Sequence, residues 1–194
     1  MIWTSKSSEI NKYVEDLLQG KIPVNTILFA EFTKPFVWSG QKDDVNSFEW
    51  AYRKQIDVKE TKSAGGTVVI SPGTVAAVFV GATQAKVRDF VNEIYKLIAR
   101  HLKQRNIQVE LVHNDLILTN GDKKIGAYTL KELPNHQWFC CVMINIYVDK
   151  KAIQQVCKNQ NHNPGGLSEY GLTSDVVISW FKDYWKDQTW VLKP

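Results

Sequence analysis

The chain has 194 residues, 44% of them hydrophobic and 23% charged, and its 24 basic and 20 acidic side chains leave a net charge of +4. These are globular values with room for a sizeable core, and they argue against a disordered chain. No apolar run approaches the roughly 20 residues of a membrane helix. The mild positive charge is spread along the chain, without the clustered basic footprint of a dedicated nucleic-acid binder. Trp138, Trp180, Trp185 and Trp190 likewise lack dense basic interleaving.

Cys140, Cys141 and Cys157 fit no zinc spacing, so no metal site is expected from them. Adjacent cysteines on a strand point to opposite faces, and all three read as buried thiols of a reducing compartment. The N-terminus shows no signal-peptide hydrophobic region. The expectation is a cytoplasmic protein of one domain, residues 1–194.

Taken in order, Ile10, Val14, Leu17 and Leu18 recur at helical spacing from Ser8 to Gln19, and Gly20 is placed to end that helix. Thr26 to Phe32 is strand-like, and Pro35 interrupts before Phe36-Val37-Trp38. A second helix is predicted over Asp44 to Lys54 from Val45, Phe48 and Tyr52. Gly65-Gly66 then precedes Thr67-Val68-Val69-Ile70 and the apolar run Thr74 to Gly81. A glycine pair before a strand permits close backbone approach to an anion, though it more often marks a bend.

The clearest pattern runs from Thr83 to Lys103, where Val87, Phe90, Val91, Ile94, Leu97, Ile98 and Leu102 form one apolar stripe. Arg100, Lys103 and Arg105 sit at its end, where cations suit the helix dipole. Ile107, Val109 and Leu111 alternate as a strand leading into the hairpin predicted from Leu111 to Tyr128. Asn120-Gly121 supplies the positive-φ turn of that hairpin. Beyond the turn stand Lys123, Lys124 and the small pair Gly126-Ala127, another place of close backbone approach. Lysines near a hairpin tip ordinarily serve solubility and edge protection.

Pro134-Asn135 marks a turn, and Trp138 to Tyr147 suits a central strand covered on both faces. Asp149 can cap a short helix carrying Ile153, Val156 and Cys157, followed by a loop from Asn159 to Gly166. Ser174-Asp175 opens a last helix bearing Val176, Val177, Trp180, Phe181 and Tyr184. This order describes an α+β domain with a mostly antiparallel sheet and packed helices.

Three phrases together resemble the catalytic domain shared by lipoate-protein and biotin-protein ligases. Lys62-Ser63-Ala64-Gly65-Gly66-Thr67-Val68-Val69-Ile70-Ser71 stands where lipoate ligases carry R-[ST]-G-G-G-x-V-x-H-D, and Ser71-Pro72-Gly73 is similar to the S-P-P-G turn of biotin ligases. Asn114-Asp115-Leu116 through Lys123-Lys124-Ile125-Gly126-Ala127 resembles the N-D, strand, turn and catalytic-lysine phrase. Val142 through Asp149 resembles the apolar strand that runs into a short helix. Gly171-Leu172-Thr173-Ser174 is similar to the family's G-I-T-S or V-T-S phrase.

The resemblance implies a fold of the class II aminoacyl-tRNA synthetase and biotin-lipoate ligase type. It also implies an enzyme that activates a small acid (lipoate, octanoate or biotin) with ATP and Mg2+ and passes the acyl group to a carrier-protein lysine. Lys124 would be the catalytic lysine, stabilising charge on the carboxylate and α-phosphate. Asn114 and Asp115 would bind adenylate and metal or fix the loop. Lys62, Ser63, Gly65, Gly66, Thr67, Gly126 and Ala127 would line the acyl-adenylate. Partners would be the small acid and a lipoyl or biotinyl carrier domain; neither membrane nor nucleic acid is expected.

Several positions depart from the phrases. Lys62 replaces arginine, Ala64 replaces glycine and Ile70 replaces histidine, while Ile125-Gly126-Ala127 changes the order after the lysine. Asn163-Pro164-Gly165-Gly166 has Gly165 where octanoyltransferases carry a cysteine nucleophile, so no thioester forms there. The expectation is a ligase-like domain without the accessory C-terminal domain of many lipoate ligases. The alternative to an enzyme is a catalytically degenerate ligase fold that binds a small ligand or a partner protein.

Overall fold

The run Val75–Gly81 carries no charge and is buried at every position, as a strand covered on both faces must be. It forms an interior strand in the computed structural model, which describes residues 2–4, 12–13, 15–16, 19–24, 26–39, 56–60, 67–119, 121–156 and 163–187. The strands in chain order are β1 (Ile2–Thr4), β2 (Ile27–Glu31), β3 (Phe36–Ser39), β4 (Asp57–Glu60), β5 (Val68–Ile70), β6 (Val75–Gly81), β7 (Val109–Val112), β8 (Asp115–Leu118), β9 (Lys123–Glu132), β10 (Trp138–Ile144) and β11 (Asn163–Pro164). The helices are α1 (Gln84–Lys103), α2 (Lys150–Val156) and α3 (Ser174–Asp187), with a 3-10 turn at Leu167–Tyr170.

The large sheet has the order β1-β2-β6-β10-β9-β8-β7, with β11 added beside β9. Its pairings are antiparallel except β1 on β2 and β11 on β9. A small sheet, β4-β3-β5, lies apart from it. The expected α+β class and mostly antiparallel sheet are what the chain forms.

Side-chain alternation divides the core into two layers. Phe29, Ala77, Phe79, Leu116, Ile125, Cys140, Val142 and Ile144 face α1 and α3. Leu28, Ala30, Ala76, Val78, Cys141 and Met143 face the other way, into a cluster with Phe36 and Ile70 of the small sheet. Cys140 and Cys141 therefore point into different layers, as adjacent strand residues should. Burial raises both thiols far from reactivity, Cys141 to about 12.

The helix layer is held by the predicted stripe of α1, with Val87, Phe90, Val91, Ile94, Leu97, Ile98 and Leu102 all buried. Thr83 caps that helix by accepting from Lys86 N at 3.3 Å. Phe79 stacks on Phe90 at 4.7 Å, and Phe29 on Phe181 of α3 at 5.2 Å. Each such buried aromatic side chain contributes about 1.5–3 kcal/mol of transfer free energy. Near the end of α1, His101 stacks flat on Trp180 at 4.5 Å, and the Arg105 guanidinium lies 5.3 Å from the same indole ring.

Other expectations meet the structure unevenly. Lys12, Tyr13, Glu15 and Asp16 are helical and the chain turns at Gln19 and Gly20, as the first helix requires. Asp149 caps α2 through Ala152 N, at 3.0 Å. The predicted helix over residues 44–54 and Cys157 lie outside the described residues. Two readings are corrected. Residues 159–166 are not all loop, since Asn163–Pro164 pairs with Lys123 and Lys124 of β9. The first arm of the hairpin is also two strands, because the chain reverses at His113-Asn114 and pairs Val112 with Asp115. His113 takes φ +56° to make that turn, a conformation histidine tolerates better than most non-glycine residues.

Candidate active site

The predicted hairpin exists as β8 and β9, with Leu118 opposite Lys123. Its register slips once. Leu116 faces Gly126 and Ile117 faces Lys124, leaving Ile125 as an extra residue on β9. Ile125 packs in the helix layer. A Cβ on Gly126 would meet Ile144 Cδ1 at 3.1 Å and Leu116 Cβ at 3.6 Å, so that position faces the helix layer too. The bulge thus places two successive residues on one side and changes the parity of the strand. Because of it, Lys124 shares a face with Ala127, Asp115 and Ile117, opposite α1 and α3.

On that face the Lys124 ammonium lies 2.8 Å from Asp115 Oδ1. Both side chains are partly exposed, at 32% and 24%. One carboxylate orients the lysine while leaving donors of its three N–H bonds for other oxygens. An oriented ammonium at the rim of an apolar layer can bind carboxylate and phosphate oxygens together and stabilise charge that develops on them.

Lys123 is held elsewhere. Its ammonium bonds Glu169 Oε2 at 2.6 Å, and Lys150 reaches Glu169 Oε1 at 3.2 Å. The hydrogen bond to Glu169 raises the lysine's pKa, and that same bond lowers the carboxyl's. This pair ties the start of β9 to the 3-10 turn. Nothing in the sequence marks it, because its partners are 46 residues apart.

The remaining predicted positions fall into three groups. Lys62, Ser63, Gly65 and Gly66 lie outside the described residues. Thr67 is half-buried and leads directly into β5 of the small sheet. Asn114 is exposed in the tight turn before Asp115, and its carbonyl accepts from Tyr128 N at 3.0 Å, which fastens the turn to β9.

Ala127 is half-buried on the Lys124 face. Gly126 makes its close approach to β10, where a Cβ would stand 2.7 Å from Met143 O. Ile70, at the position of the phrase's histidine, is 3% exposed and packed in the apolar cluster. Gly165 lies against Lys123, whose Cβ would be 2.8 Å from a Cβ there.

Among the described residues no group of three His, Cys, Asp or Glu side chains could hold a metal ion. Asp115 is engaged by Lys124, so among the described residues the carboxylates do not form a protein-built Mg2+ site. Among them also, no helix is long and apolar enough to cross a membrane.

The chain matches the lipoyl protein ligase A/B catalytic domain over residues 9–184. Among solved structures it is similar to P. falciparum LipL1 in complex with lipoate, with a TM-score of 0.71 and 13% identity. That likeness covers 100% of this chain and 62% of the other, so this chain spans less than two thirds of that protein's length.

It is also similar to lipoate-protein ligase A bound with ATP, with a TM-score of 0.68, 10% identity, and coverage of 96% of this chain and 84% of the other. A third likeness is to an archaeal lipoylation system from Thermoplasma acidophilum, a bi-partite lipoate protein ligase and its E2 lipoyl domain. There the TM-score is 0.67 at 10% identity, covering 95% and 83% of the two chains. A sequence search of curated proteins gives no match. At these identities the solved structures establish the fold, an α+β fold of the biotin-lipoate ligase and class II synthetase type. Matched from residue 9 to residue 184, the chain belongs to the lipoyl protein ligase A/B catalytic domain family.

Proposed function

We propose that this protein is an ATP-dependent lipoate- or biotin-type protein ligase, with residues 1–194 forming a single catalytic domain. The observation that carries this reading is the bulge at Ile125, which turns Lys124 toward the small-sheet layer and sets it 2.8 Å from Asp115. Relatives solved with lipoate and with ATP support the choice of substrates, and the T. acidophilum system supports a lipoyl carrier domain as partner.

In this reading the acid's carboxylate attacks the α-phosphorus of ATP, pyrophosphate leaves, and Lys124 holds the oxygens that gather charge. A lysine amine of the carrier then attacks the acyl carbon and AMP departs. Asp115 keeps the Lys124 ammonium in place. Thr67, Asn114 and Ala127 would border the ligand, and the family phrase assigns Lys62, Ser63, Gly65 and Gly66 to it, while Gly126 serves the close approach of β9 to β10. Magnesium, if brought in on the nucleotide's own phosphates, would supply neutralisation of their charge. The carrier and the enzyme would meet in the cytoplasm.

One observation favours a second reading, a degenerate fold that binds without catalysis. Ile70 is packed and apolar where the family phrase has histidine, so the chemistry rests on Lys124. ATP–pyrophosphate exchange with lipoate, octanoate and biotin, run beside Lys124→Ala, separates the two. Exchange with one acid that disappears in the variant is the expected result. A folded protein that exchanges with none of the three would establish the second reading.

A further inference from the structure

Thr74 is fully buried, and its Oγ1 has no hydrogen-bond partner among the described residues. Buried hydroxyls are ordinarily paired, so an orphan of this kind calls for a reason. The ladder fixes its direction. Phe32 N donates to Thr74 O at 2.9 Å and Gly73 N to Phe32 O at 2.7 Å, so Phe32 lies across from Gly73-Thr74 just past the end of the β2–β6 ladder, while Thr74 N donates to Ser71 O at 3.1 Å. Phe32 and Ala76 belong to the small-sheet layer and Val75 to the helix layer. Alternation therefore turns the Thr74 side chain to the small-sheet side, the side of Lys124.

The same end of the sheet continues across β10. Asn145 N donates to Ile125 O at 2.8 Å, one rung past the Ile144–Gly126 pair. Ile144 also pairs with Val75, so this rung brings half-buried Asn145 level with Thr74 on its other side. Asn145 stands between Ile144 and Ile146, both in the helix layer, and so faces with Met143 toward the small sheet. The sheet end thus presents, strand by strand, Thr74, Asn145, and then Lys124 with its Asp115. At the usual strand spacing, Thr74 and Lys124 are roughly 10 Å apart along the backbone, a gap suited to a carboxyl group held from both sides.

Solvent is close to this point. The turn Ser71-Pro72-Gly73 precedes Thr74, and Tyr147, which packs on Gly73, is 50% exposed. Thr74 itself is fully buried, so access requires side chains at that rim to move.

We propose that Thr74 is a substrate-positioning residue: its hydroxyl donates to a carboxylate oxygen of the acid, and after activation to the acyl carbonyl oxygen, while Lys124 binds from the opposite side. The assignment rests on the ligase reading above. It gives the orphan hydroxyl the partner it lacks.

The test is calorimetric titration of wild type, Thr74→Val and Thr74→Ser with non-hydrolysable acyl-sulfamoyl-adenosines bearing the lipoyl, octanoyl and biotinyl groups, with Tm measured beside each. One compound should bind wild type, and Thr74→Val should bind it about 10- to 100-fold more weakly. Its Tm should equal or exceed that of wild type, because a methyl replaces an unpaired hydroxyl. Thr74→Ser should restore binding to within about threefold. If valine lowers Tm by crowding the turn, Thr74→Ala gives the same comparison. Wild-type affinity in the variants lacking the hydroxyl, or an equal loss in Thr74→Ser, overturns the assignment and leaves the ligase reading standing. Failure of wild type to bind any of the three overturns both.

Discussion

Lys123 and Lys124 adjoin in sequence, yet they serve opposite sides of the same sheet. Lys123 sits across from Leu118, on the helix side, and closes an ion pair with Glu169 that staples a turn. Lys124 sits across from Ile117, on the side of the small sheet, and its ammonium is aimed by Asp115 at the rim of an apolar layer. Residue type, charge and exposure are nearly the same for both. What separates them is strand parity, reset by one extra residue, and the partner that parity delivers.

The strongest way to break this comparison is to remove each side chain in turn. Lys124→Ala is expected to lower ATP–pyrophosphate exchange by about a thousandfold, equivalent to about 4 kcal/mol of barrier, with an unchanged urea midpoint. Its neighbour in the helix layer should behave the other way. Ile125 is fully buried, and Ile125→Ala should cost about 3 kcal/mol of stability in urea denaturation. Exchange by the fraction still folded should persist. Equal effects of the two substitutions on activity would show that the bulge does not separate their roles.

A smaller effect concerns the helix layer and acid. His101 has its pKa lowered, first by burial against Trp180 and then by Arg100 and Arg105, with Asp183 acting in the opposite direction. The folded state thus holds a proton on His101 less readily than the unfolded chain does. Stability present above the ordinary histidine value, about 6.5, is lost as pH falls through the lowered one. Urea denaturation at pH 7.5 and 5.5 should show that loss, and His101→Gln should reduce it. The smallest effect belongs to Lys123→Ala: a slight fall in Tm that high salt erases, with exchange intact. A loss of exchange as large as that of Lys124→Ala would end the distinction between the two lysines.

Much of this arrangement is legible in the sequence because it rests on local patterns. The α1 stripe, the Asp149 cap, the central strand and the glycine-bearing turn before Lys123 each need only neighbouring residues to be seen. The bulge at Ile125 carries no comparable mark. Alternation over Lys123 to Tyr128 reads equally well without it, and only the partner strand reveals the slip. The reversal at His113-Asn114 was hidden for another reason, since it rests on a histidine in a positive-φ conformation that its residue type does not announce. At the site, the family phrases point to Asp115 and Lys124 separately. Their contact, and the orphan hydroxyl of Thr74, depend on which strands lie side by side.

The two buried cysteines offer a use beyond packing. Cys140 and Cys141 are successive residues of the central strand, sealed on opposite sides of it. In a background with Cys157 replaced, each single-thiol protein becomes a clock for one layer, labelled only when that layer opens. If the small-sheet side opens more often, as substrate exchange would demand, Cys141 will label before Cys140 under native conditions. Breathing of the two halves can then be timed separately from one dipeptide.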